Sequence, residues 1–174
     1  MDMLETILAR RSVRQYTDEP IPDEKLNAIL YAGLAAASSK NRKPWELVVI
    51  QNRGMLDSLC TCRPGAANLL GKCTAAIVVC ADAENVDVWV EDCGSAITQM
   101  HLMADAIGVG SCWLQVRMRK AEDGRDTADV VRELLGIPAK YGVMAILALG
   151  MPASHPAPKT IGELPLHKIH HEYF

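Results

Sequence analysis

Three guanidinium groups, Arg10, Arg11 and Arg14, share five positions with the hydroxyl of Ser12. Arginines that close repel one another unless an anion or bulk water lies between them. A guanidinium fork beside a short hydroxyl donor matches the oxygens of a phosphate. The block therefore reads either as an anion site, phosphate being the best-matched anion, or as the solvated, charged end of a helix. A second polar and cationic block runs from Ser38 and Ser39 through Lys40, Asn41, Arg42 and Lys43 to Pro44 and Trp45. It lies between a helical pattern and an apolar run. Functional groups are often carried on such loops, and ordinary connectors look much the same.

The other reactive side chains are less well placed. Cys60, Cys62 and Cys73 are spaced like no common zinc ribbon, and Cys80 sits inside an apolar run where it reads as packing. Adjacent His170 and His171 would face opposite ways in a strand. No metal site is expected. His101, at helical spacing, is assigned no role. Gly108 and Gly110 form a lone G-x-G whose third fingerprint glycine is missing, and Cys112 beside them has only apolar neighbours.

The elements that must carry these groups follow from periodicity and punctuation. Met3, Leu4, Ile7 and Leu8 mark a first helix leading into the arginine block. Pro20 and Pro22 break the chain, and Asp23 is placed as the N-cap of a second helix ending near Ser38 and Ser39. Residues 46–51 and 75–80 read as buried strands, with short helical pieces broken at Pro64-Gly65 between them. Residues 86–107 form the longest helix, apolar around most of its circumference, which suggests a subunit interface as well as a core. Gly108 is its expected C-cap. A strand through Cys112 to Val116, a helix over 128–135 opened by Asp126, and a core strand over 143–149 complete the body. The tail from Ala153 has three prolines and too little apolar content for its own core; Leu164, Leu166 and Ile169 recur in it like a short strand for a partner's sheet edge.

With 174 residues, 49% of them hydrophobic and 22% charged, one globular domain over 1–174 is expected, with 151–174 as a tail packing on a partner. A net charge of −3 argues against nucleic acid as a partner, and no apolar run approaches the roughly 18 residues of a membrane span. The first residues lack the apolar core of a secretion signal, and the six cysteines are scattered, so a cytoplasmic protein with reduced thiols is expected.

Arg10-Arg11-Ser12-x-Arg14, followed by Ser38-Ser39-x-Asn41-x-x-Pro44-Trp45 and later by Gly108-x-Gly110-Ser111-Cys112-Trp113, resembles the FMN-dependent nitroreductase family. The resemblance implies an α+β fold, a central, mainly antiparallel sheet flanked by helices, in an intertwined homodimer with FMN at the interface. It implies that Arg10, Arg11, Ser12 and Arg14, with Ser38, Ser39 and Asn41, gather around the phosphate and ribityl chain. Asn68 would reach the pyrimidine edge of the flavin, with Lys72 a looser match, and Leu114 and Gln115 would meet N5 mostly through main chain. Lys43 stands where the family usually has Gln, placing a cation near the flavin or the substrate mouth. The late basic pair of the family is replaced by Glu163-Leu164, with only Lys159 upstream. The implied activity is hydride transfer from NAD(P)H through flavin N5 to a small oxidised acceptor such as a nitroaromatic or a quinone, in ping-pong order, with no side chain as a catalytic acid or base. A non-catalytic FMN-binding or redox-sensing protein, and a Cys-rich metal-binding protein using Cys60, Cys62 and Cys73, are the alternatives.

Overall fold

In the computed structural model, which describes residues 2–174, so that Met1 of the expected domain lies outside the described residues, four antiparallel strands form one sheet. They are β1 (Trp45–Ile50), β2 (Ala75–Asp82), β3 (Gly110–Gln115) and β4 (Tyr141–Gly150), in the spatial order β1-β2-β4-β3. The two central strands are apolar on both faces because both faces are covered. Ile77, Val79, Leu147 and Leu149 point into one core with α2 (Asp23–Leu34) and α4 (Trp89–Ala106). Val78, Cys80, Ile146 and Ala148 point into a second core with α3 (Arg53–Leu59) and α5 (Thr127–Leu135). The register shifts between Val79 and Cys80, which face Ala145 and Val143; Met144 is the extra residue, so Met144 and Ala145 face the same core.

α1 (Met3–Ala9) opens on a capping box in which Asp2 and Glu5 satisfy each other's main-chain amides. It stops at Ala9, and the arginine block that follows is extended rather than helical. Val13 donates its amide to Ser111 on the outer edge of β3, so the block runs beside the sheet. Gly110 permits this approach: a Cβ there would lie 2.8 Å from Val13. α2 is capped by Pro22 rather than Asp23, which occupies its first turn, and it ends at Leu34, short of the serines. The C-cap of α4 is Ile107; Gly108 follows with φ +75°. The tail has two short 3-10 turns, Ile161–Glu163 and Leu166–Lys168, where a strand was expected. Thr160 and Glu163 cap the first turn reciprocally, a local alternative to pairing with a sheet.

Candidate functional site

The free edge of β3 is the floor of a cleft of about 370 Å³. Its walls come from Arg14 on one side and, on the other, from Arg63 and the 3-10 segment Ala66–Gly71 that carries Asn68. Lys72, Cys112, Trp113 and Leu114 complete the lining, which contains no carboxylate and no histidine. Among the described residues none of Arg14, Arg63 and Lys72 belongs to an ion pair. Arg63 donates to the carbonyl of Gln115 at 3.0 Å, and Ser111 receives Val13 on the same edge. In an antiparallel strand a residue's N–H and C=O point the same way, and successive residues alternate. The main chain of Trp113 and Gln115 therefore lies on the free edge of β3, while that of Leu114 is turned toward β4. Of the two residues expected to offer main chain, Gln115 has it on the open edge. Its side chain is engaged elsewhere, accepting from the Trp113 indole at 2.9 Å and donating to Arg117 at 3.1 Å. The Leu114 side chain is buried in the second core.

The arginine block approaches this cleft from the far end of β3. Arg10 donates to His101 of α4 at 2.9 Å, the Arg11 amide donates to Asp105, and the Arg11 side chain reaches the carbonyl of Ala157 in the tail. Lys159 donates its amide to Leu8, and Arg11 and Lys159 both act on Glu163, whose carboxyl is held below the usual range first by the Thr160 amide and hydroxyl. The one upstream cation of the missing basic pair is therefore carried beside the arginine block, together with an acid. Burial pushes the Cys112 thiol up, against the opposing influence of Arg14, Ser12 and Arg10. A protonated thiol of this kind packs rather than attacks.

The second block lies elsewhere on the same chain. Ser39–Asn41 forms a 3-10 turn, and Lys40, Asn41 and Lys43 all have φ near +50°. That conformation is unusual for residues with a Cβ. Two bonds to side chains help hold it: the Ser38 hydroxyl accepts from the Lys43 amide at 2.9 Å, and buried Asp92 accepts from the Ser39 amide at 2.7 Å. The other Asp92 carboxylate oxygen is buried with no partner. Asn41 and Lys43 are exposed. Asp92 and His101 are nine positions apart on α4, about 13 Å along the axis and roughly half a rotation around it. One chain thus holds the arginine block against the His101 end of α4 and beside β3, and holds Ser38, Ser39, Asn41 and Lys43 at the Asp92 end, in the turn that leads into β1, the opposite edge of the sheet from the cleft.

Arg63, His101, Asp92 and Asp105 were missed as site residues. Each meets its partner across at least 50 positions of sequence, and only the Arg63-Pro64-Gly65 turn and the i,i+4 pair His101 and Asp105 were visible locally. Of the cysteines expected as alternative metal ligands, Cys62 and Cys73 are buried in the second core and Cys60 is half-buried against it. Burial pushes Cys62 and Cys73 up to about 11, which disfavours the thiolates a metal needs. Among the described residues no cluster of His, Cys, Asp and Glu is arranged to hold a metal ion, and no helix is long and apolar enough to cross a membrane.

The family model for the nitroreductase family matches residues 7–59 and 62–151. A protein of Archaeoglobus fulgidus named as an NADH dehydrogenase/NAD(P)H nitroreductase is 37% identical over 155 residues, covering 87% of this chain and 86% of its own. The structure of an FMN-dependent nitroreductase from Clostridium difficile superposes with a TM-score of 0.96 at 37% identity, over 99% of this chain and 100% of its own. A nitroreductase from Desulfovibrio desulfuricans, solved in complex with FMN, superposes with a TM-score of 0.74 at 29% identity over 94% of each chain. The strand order, the cleft along β3 and the match over nearly the whole sequence lead to one assignment: the chain belongs to the nitroreductase family.

Proposed function

We propose that the chain is an FMN-dependent oxidoreductase acting as a cytoplasmic homodimer, which takes reducing equivalents from NAD(P)H and delivers them to a small oxidised acceptor of nitroaromatic or quinone type. The observation that carries this reading is the cleft on the free edge of β3, with a strand edge at its floor, three cations and no carboxylate in its lining. A planar, electron-poor ring that gains negative charge on reduction suits such a site, because preset positive charge and N–H dipoles stabilise the reduced form without reorganisation. The Archaeoglobus relative carries NAD(P)H nitroreductase in its name, and the Clostridium and Desulfovibrio structures carry FMN in theirs, in agreement with this chemistry.

The residues present fit the cofactor in parts. Arg10, Arg11 and Ser12 would hold its phosphate. Arg14, Asn68, Lys72 and the Gln115 amide would meet the ring, with Leu114 supporting the floor from the core. FMN, when bound, supplies hydride transfer at its N5. The surrounding residues bind, orient and balance charge, and none of the cleft side chains is an acid or base that must move a proton. Ser38, Ser39, Asn41 and Lys43 would reach the same cofactor from a second copy of the chain, since the turn that carries them leads into β1, the sheet edge opposite their own cleft. Apolar side chains left in solvent support that second copy: Met3, Leu4, Ile7, Tyr31 and Leu34 on α1 and α2, and Ile161, Leu166 and Ile169 in the tail. Residues 151–159 already lie along their own chain, through the Tyr16–Pro152 bridge and the bonds of Ala153 to Gln15 and Lys159 to Leu8. Residues 160–174 are the part of the tail that would embrace the partner.

The test is the visible spectrum of the purified protein, reconstituted with FMN if colourless. Anaerobic NADH or NADPH should bleach the flavin band, and a quinone should restore it. Protein that binds FMN but is never bleached would be the non-catalytic flavin protein. Protein that never takes up flavin would end both readings.

A further inference from the structure

We propose that His101 is a positioning residue that orients Arg10 toward the cofactor's phosphate as a neutral hydrogen-bond acceptor, its tautomer set by Ser111; the inference rests on the FMN reading above. Arg10 is the first residue beyond α1, half-buried, and no carboxylate lies within ion-pair distance of it among the described residues. Its partner is the Nε2 of His101, 2.9 Å away. A guanidinium has only donors, so Nε2 must accept and the ring proton must sit on Nδ1. Nδ1 lies 2.5 Å from the Ser111 hydroxyl, which receives that proton. His101 is 7% exposed, so water is poorly placed to replace either contact.

The choice of imidazole over carboxylate matters chemically. An Asp or Glu at this place would orient Arg10 and also neutralise it. A neutral histidine fixes one guanidinium nitrogen and leaves the positive charge uncompensated, with the remaining N–H groups available to an anion. The surroundings preserve that neutrality. Arg10 opposes a second positive charge on the ring, and burial does so more strongly. Asp105, one turn further along α4, acts in the other sense but is already occupied by the Arg11 amide and by His155 of the tail at 2.7 Å. Ser111 also accepts the Val13 amide at 2.9 Å through its carbonyl. The whole segment from Arg10 to Val13 is thus fixed to α4 and β3 at three points before any ligand arrives.

Flavin fluorescence quenching tests this, with FMN and riboflavin as probes that differ only in the phosphate. His101→Phe should weaken FMN about fivefold to tenfold, as expected for loss of one contact to a charged group, and leave riboflavin unchanged. His101→Gln, whose amide oxygen can take the place of Nε2, should restore FMN binding to within about twofold. In an Arg10→Ala background, His101→Phe should have no further effect. Equal losses for FMN and riboflavin would mean a structural role and would overturn the proposal, as would a Gln variant as weak as Phe or an effect that persists without Arg10. If His101→Phe does not fold, Ser111→Ala serves instead: freeing Nδ1 lets the ring proton move to Nε2 and face Arg10, so FMN should weaken while riboflavin does not, and unchanged FMN affinity overturns the assignment. A wild-type protein that binds riboflavin as tightly as FMN would remove the phosphate reading itself, an outcome separate from any behaviour of His101.

Discussion

Acidification should destabilise this protein through one buried side chain, beginning near the pH at which an unfolded histidine takes up its proton. His101 is held down to about 4 by burial first and Arg10 second, whereas an unfolded chain leaves histidine near 6.5. Between those values the unfolded chain takes up a proton that the folded chain refuses. Stability must therefore fall as the pH drops through about 6.5 and level off below about 4. Linkage from these two values gives a loss of about 2 kcal/mol between pH 7 and pH 5, and at most about 3 kcal/mol in all. The assay is urea unfolding followed by the fluorescence of Trp45, Trp89 and Trp113, at pH 7 and pH 5 and one fixed protein concentration. His101→Gln keeps an acceptor for Arg10 and cannot titrate, so subtracting its pH dependence cancels the other histidines. Wild type and the Gln variant with the same loss between the two pH values would refute the claim that His101 is buried neutral against Arg10.

Arg10→Ala should weaken FMN about tenfold to a hundredfold and leave riboflavin alone, read by equilibrium dialysis. Initial rates with NAD(P)H varied at several acceptor concentrations should give parallel double-reciprocal lines, and converging lines would mean that donor and acceptor are bound together. Lys43→Gln should lower the midpoint potential of bound flavin if that cation reaches the partner's cleft, measured against a reference dye; an unchanged potential removes Lys43 from the site. Deleting residues 160–174 should shift sedimentation toward a monomer and reduce flavin content, whereas a flavin-loaded monomer would contradict the composite site. Gly142→Val should cost about 1–3 kcal/mol in urea unfolding, because even a Cβ there would stand 2.6 Å from the Trp89 ring.

The central sheet was legible because burial on both faces writes itself as continuous apolar runs, 75–80 and 143–149, and α4 because a helix covered on most sides leaves few polar positions. Local punctuation was harder. Asp23 reads as a cap because its side chain suits one, yet Pro22 already supplies the fixed φ at that place. The arginine block can be taken from sequence for the charged end of a helix because α1 precedes it with the right period; what holds it extended is Ser111, about a hundred positions away. The candidate site residues divide the same way. Arg14 and Asn68, which line the cleft, could be found because motif and spacing carry them. His101 could not, since one histidine in a helical pattern looks the same whether it faces leucine or arginine. Arg63 had no signal beyond the turn that follows it. Main-chain direction along β3, which separates Gln115 from Leu114, depends on which edge of the strand is free, and composition says nothing about that.

The position of Asp92 and His101 on one helix makes α4 a measuring rod. A single inserted residue between them would turn one end against the other by about 100° and lengthen the rod by about 1.5 Å. The turn at 38–43 and the arginine block would then be out of phase, although every contact at each end could form by itself. Two copies related by a two-fold axis would repeat the error at both sites at once. Length changes in this lineage should therefore accumulate in the 117–126 loop and beyond residue 159, where no such gauge operates, and the interval from Asp92 to His101 should keep its count while its individual side chains drift.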